Sequence, residues 1–213
     1  MLHRNFIAPF LIMTLATLAC GLISPASISP TPDPVQPTVP APTVPAPTLT
    51  ADQLKNAQYQ LGARDDRASV QLTDGQWQQG TDATTLDFAH VSLSEFISLG
   101  DITGDGVDEA AAIFFENYGG TGNFGFLAIY TNVNGLPVFL SSTMIDDRPM
   151  INGLAIESGE VFLDAVIHGF EDPGCCPQLP TIRKYALVNN ALRITTYATS
   201  TPDNRKRSIE IMT

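Results

Sequence analysis

Short β-rich runs separated by two-residue turn signals constrain this chain more than any other feature. They cover residues 68–72, 90–93, 95–99, 110–115, 124–132, 138–142, 150–156, 161–167, 181–188, 192–197 and 208–212. Between several of them stand Asp74-Gly75, Asn134-Gly135, Ser158-Gly159 and Asn189-Asn190. Such dipeptides tolerate the positive φ that tight hairpin turns require, so consecutive runs are expected to pair antiparallel. Partial period-two alternation, as in Ile182, Tyr185, Leu187 and then Leu192, Ile194, points to strands with one buried face. About ten strands at hairpin spacing predict a mainly β domain, an antiparallel sandwich or barrel-like fold. The strand pattern does not recur as a sequence repeat, which disfavours a propeller.

The β pattern begins after a boundary near residue 50. Thr50-Ala51-Asp52-Gln53 has the form of a capping box, with Leu49 and Leu54 placed for a hydrophobic staple. Leu54, Ala57 and Leu61 follow at helical spacing, predicting a short helix over about 51–58. Residues 50–213 are thus read as one domain.

Residues 21–49 are different in kind. Between Gly21 and Thr50 there are nine prolines, no aromatic residue and the single charge of Asp33. Val39-Pro40-Ala41-Pro42-Thr43 is repeated directly as Val44-Pro45-Ala46-Pro47-Thr48. Such a stretch cannot bury a core and favours extended polyproline II, so it is expected to be a disordered stalk.

Residues 1–20 read as an export signal. Arg4 makes a positive start, and Phe6 to Ala19 is a 14-residue apolar run. That length suits a signal peptide and falls short of the roughly 20 residues a membrane span needs. The run closes on Thr17-Leu18-Ala19-Cys20, which resembles the lipobox of bacterial lipoproteins, with Thr17 where Leu is usual. The resemblance implies that Cys20 carries diacylglycerol and tethers the domain to the extracytoplasmic face of a bacterial membrane, in the cell envelope. The alternative is an ordinary signal peptide cut after Ala19 or Ala26.

Charge narrows the partners. The chain has 11 Lys plus Arg against 22 Asp plus Glu, and residues 68–147 hold 11 acids and no Lys or Arg. Such a surface repels phosphate backbones, which argues against nucleic acid, and it suits cations or simple solubility.

The densest acidic stretch is Asp101-Ile102-Thr103-Gly104-Asp105-Gly106-Val107-Asp108-Glu109. Oxygen-bearing side chains at positions 1, 3, 5 and 9, with glycine at 6, match the alternation by which a loop wraps Ca²⁺. Ala112 at position 12 rules out the EF-hand pattern. The loop resembles the calcium loops of FG-GAP repeats. That resemblance implies carboxylate ligands Asp101, Asp105 and Glu109, a hydroxyl from Thr103 and the carbonyl of Val107. An acidic turn whose aspartates cap their own backbone is the competing reading.

Cys175 and Cys176 lie in Asp172-Pro173-Gly174-Cys175-Cys176-Pro177. Outside the cytoplasm thiols tend to be oxidised, and with Cys20 acylated each has only its neighbour as partner. A vicinal disulfide, buried free thiols and a metal or redox site including His168 all remain open. The string and the single acidic loop together resemble a group of uncharacterised bacterial lipoproteins over about residues 95–190, a likeness that implies no activity.

No GxSxG, HExxH or SxxK motif occurs, and neither phosphate-binding glycine motif matches. The expected role is a non-catalytic binding or structural module, with a carboxylate-dependent extracellular hydrolase as the alternative.

Overall fold

The computed structural model of the protein describes residues 47–200 and the strand 209–212. The signal-like segment, Cys20 and nearly all of the proline-rich stretch lie outside the described residues.

The chain enters through the capping box. Gln53 N donates to Thr50 Oγ1 at 3.3 Å and Thr50 N donates to Gln53 Oε1 at 2.8 Å. Leu49 and Leu54 are both buried in one cluster, so packing already includes a residue assigned to the stalk by composition. Helix α1 is a single turn, Ala51–Leu54, shorter than the expected 51–58. The chain leaves it at Lys55 because Ala57 must turn inward, and the backbone then extends as β1, Gln58–Gln60. This strand pairs with β2, Ser69–Gln71, in a small hairpin.

Two five-stranded antiparallel meanders follow, neither closing into a barrel. The first comprises β3 (Gln76–Gln79), β4 (Ala89–Gly100), β5 (Glu109–Asn117), β6 (Phe124–Val133) and β7 (Leu136–Asp147), in that order. The second comprises β8 (Met150–Glu157), β9 (Glu160–Ile167), β10 (Leu179–Val188), β11 (Ala191–Ser200) and β12 (Ile209–Met212). The mainly β, sandwich-type fold read from the hairpin pattern is the fold observed.

The hairpin turns carry the expected backbone. Asp74 and Gly75, Asn134 and Gly135, Ser158 and Gly159, and Asn189 and Asn190 all have positive φ. Runs 90–93 and 95–99 form one strand, β4, carrying an irregularity between Leu93 and Ile97. Strands β1 and β3 escaped the pattern because glutamines surround their one anchoring aromatic residue, Tyr59 and Trp77 respectively.

The first meander is buried on both faces. Ala110, Ala112, Phe114, Ala128 and Tyr130 pack under the segment 49–72, while Ala111, Ile113, Leu127 and Ile129 pack against Val161, Leu163, Ala165 and Tyr185. A strand covered on both sides reads as a continuous apolar run, which is why Ala110–Phe115 does not alternate. The second meander has a solvent side, and β9 alternates buried and half-buried residues throughout.

Candidate functional site

Antiparallel pairing sorts the loops onto two ends. Gly100 pairs with Glu109, so the acidic loop closes one end of the first meander. His90 pairs with Asn117, and Phe124 pairs with both Glu116 and Asp147, so loops 80–88, 118–123 and 148–149 share the opposite end. Loop 168–178 joins them there through Asp146, which accepts the His168 backbone N–H at 2.5 Å.

In the acidic loop, Asp101 accepts N–H groups from Gly104 at 2.6 Å and Gly106 at 2.9 Å. The Gly106 bond leads the contacts that hold the Asp101 carboxyl below its ordinary range. Asp105 accepts the Val107 N–H at 2.8 Å. Glu109, only 1% exposed, accepts the N–H of Ile102 at 2.9 Å and of Thr103 at 3.1 Å. Thr103 Oγ1 stands 3.5 Å from the other Glu109 oxygen. Burial raises the Glu109 pKa against these hydrogen bonds, and the charges of Asp105 and Asp101 add to the rise. The five residues singled out in this loop thus share one turn, its carboxylates directed at loop N–H groups. Among the described residues no three His, Cys, Asp or Glu side chains form a metal-holding group. The side-chain groups of this loop all present oxygens, the donor type a hard cation would need. A carboxylate oxygen that accepts one N–H retains a further lone pair.

At the opposite end, the sulfurs of Cys175 and Cys176 are bonded to each other, and both residues are exposed. Their loop is organised by Asp172, which accepts the N–H of Gly169 at 2.8 Å and of Gln178 at 2.7 Å. Cys176 N donates to Pro173 O at 2.9 Å, closing a turn around the pair. His168 Nδ1 lies 2.9 Å from Asp146 Oδ2, and its Nε2 is buried without a hydrogen-bond partner among the described residues. Two large apolar side chains project from these loops without cover, Leu86 at 106% and Phe170 at 104% relative exposure. This end also carries Asp82, Asp87, Glu171 and Asp172 on its loops, Asp146 and Asp147 at the close of β7, Arg148 paired with Asp147, and Arg64, Asp65, Asp66 and Arg67 on the segment beside Glu116 and Tyr118.

Two buried charged groups gave no signal in the sequence. Glu116 is fully buried and accepts the Tyr59 hydroxyl at 2.6 Å, the Tyr118 hydroxyl at 2.6 Å, and the N–H groups of Gly62 at 2.7 Å and Ala63 at 3.0 Å. Burial, with Glu116 alongside, holds the Tyr59 hydroxyl far above the ordinary phenol range and keeps it a donor. Arg183 is buried between the sheets, donates to Ile145 O at 3.1 Å and lies 5.3 Å from the Tyr197 ring centre.

No helix among the described residues is long and apolar enough to cross a membrane. Comparison with protein-family models, with curated proteins and with solved structures finds no match for this chain.

Proposed function

We propose that this chain is a lipid-anchored extracytoplasmic lipoprotein whose β domain is a non-catalytic binding module, docking its partner on the loops at one end of the sandwich. The observation that carries this reading is the pair of uncovered apolar side chains, Leu86 and Phe170, on loops gathered at that end. A sandwich displays its end loops on a rigid frame, an arrangement suited to recognition. Exposed apolar groups within a polar rim favour an interface over bare solvent. Acids outnumber bases among the described residues of this end, which favours a partner that presents cationic groups beside an apolar surface. The acidic loop at the other end is taken as a calcium-stabilised turn, supported by its oxygen donors and by the cost of burying Glu109 as an anion.

The test is photo-cross-linking in the expressing bacterium, with benzoylphenylalanine at position 86, 170 or 108. Asp108 is an exposed control at the far end. Discrete adducts from positions 86 and 170, absent from position 108, are expected. No adduct, or the same adducts from all three positions, would contradict docking through these loops.

A further inference from the structure

Arg183 is 9% exposed, and no carboxylate among the described residues forms an ion pair with it. Among those residues it is alone in this. Lys55, Arg64, Arg148 and Lys184 each pair with an acid, and Arg67 and Arg193 are exposed. A guanidinium does not shed its proton, so it cannot escape the cost of burial by neutralising. A buried charge without a counter-ion is strongly unfavourable, and an apolar residue of similar volume would fill the same space without that cost.

The surroundings offset this only in part, and they aim the group. Gly125 pairs with Asp146 and Phe126 with Met144, so Ile145 is the extra residue of a bulge in β7, the last strand of its sheet. The Ile145 carbonyl accepts a hydrogen bond from Arg183 Nη1 at 3.1 Å, and the Tyr185 hydroxyl lies 3.5 Å from the same nitrogen. The Tyr197 ring covers the guanidinium at 5.3 Å and is itself only half-buried, so this margin between β7 and β10–β11 reaches solvent. Nε is buried without a partner, and Nη2 makes no hydrogen bond among the described residues. The edge left over, Nε with Nη2, is one that a carboxylate can meet with two parallel bonds.

Charge and surroundings select the ligand. One guanidinium compensates one negative charge, and the chain's formal net charge of -11 repels a multiply charged anion such as phosphate. Ile145, Leu163 and Tyr197 beside Arg183 favour an apolar body behind the anionic group. We propose that Arg183 binds an organic monocarboxylate at this margin of the sandwich, Nε and Nη2 meeting its two oxygens while Nη1 stays on Ile145. The site does not depend on docking through the end loops.

The test is saturation-transfer NMR on the full chain, solubilised in detergent and titrated with sodium benzoate at constant ionic strength. Saturable transfer is expected, with a Kd of about 1 mM or tighter for so small a ligand. Benzamide, which keeps the shape and lacks the charge, should show no saturable transfer, and inorganic phosphate should displace benzoate poorly. Arg183→Lys keeps the charge but not the planar fork, and is expected to weaken benzoate about tenfold or more. Arg183→Leu is expected to abolish the transfer, with circular dichroism checking that each variant keeps its β signature. The benzoate and benzamide titrations need only the wild type, so they decide the matter even where a variant does not fold. No saturable transfer from benzoate, equal transfer from benzamide, displacement by phosphate at equal concentration, or undiminished binding by folded Arg183→Lys would each overturn the proposal.

Discussion

Glu116 shows how much one residue organises here. It binds two hydroxyls and two main-chain N–H groups from segments that a sequence pattern cannot connect, since Tyr59 stands 57 positions away. Glu116→Ala would leave all four donors without their acceptor, and a cost of about 3–4 kcal/mol is expected. Glu116→Gln, which keeps one carbonyl acceptor, should cost roughly half as much; urea midpoints for the two variants decide it. Glu109 poses the opposite case, because its position was legible and its burial was not. The spacing of Asp101, Thr103, Asp105, Val107 and Glu109 marks one loop in the sequence. That Glu109 turns inward and receives two loop N–H groups follows only from the covering sheet. Calcium at about 100 times its Kd should stabilise the fold by about 2.7 kcal/mol, or roughly 5–10 °C in Tm for a domain of this size. Asp105→Ala should remove most of that rise. Burial raises the Glu109 pKa, so protons compete with the ion from higher pH than usual, and the rise should shrink as pH falls through that raised value. Identical melting curves in calcium and in excess chelator would leave the loop an acidic turn.

At the scale of elements, the turns were readable and the sheet order was not. Asn134-Gly135 and Asn189-Asn190 announce tight turns by chemistry alone, because few other residues accept positive φ twice in succession. Strand β3 is hidden in Gln76-Trp77-Gln78-Gln79, where only Trp77 has a reason to be covered and its cover, cluster residues on other strands, is non-local. The loop-bearing end rests on a contact of the same kind. Gly119 has φ 87°, and a Cβ there would stand 2.5 Å from the Ala83 carbonyl oxygen. Gly120 also has positive φ, at 69°, but open space around it. Gly119→Ala should therefore cost about 2–3 kcal/mol and shift the backbone amide resonances of loop 80–88. Gly120→Ala should cost about 1 kcal/mol and leave that loop in place. Equal effects from the two substitutions would mean that the two loops do not brace each other.

For the whole molecule, the sandwich follows from where apolar surface can be hidden. Ala110–Phe115 requires cover on both faces, and one meander supplies it on one side while the segment 49–72 supplies it on the other. The acids spread over the exterior leave Leu86 and Phe170 as apolar points in a polar field. Every part of the proposed function still depends on the address written in the first twenty residues, because a module displayed on a membrane meets different partners from one released into the medium. The decisive measurement is metabolic labelling of an expressing bacterium with radioactive palmitate, on the wild type and on Cys20→Ser. Label is expected in the wild-type band and the membrane fraction, and is expected to vanish from the variant. Unlabelled wild-type protein recovered from the medium would contradict the lipoprotein assignment and, with it, the tethered display on which the proposed function stands.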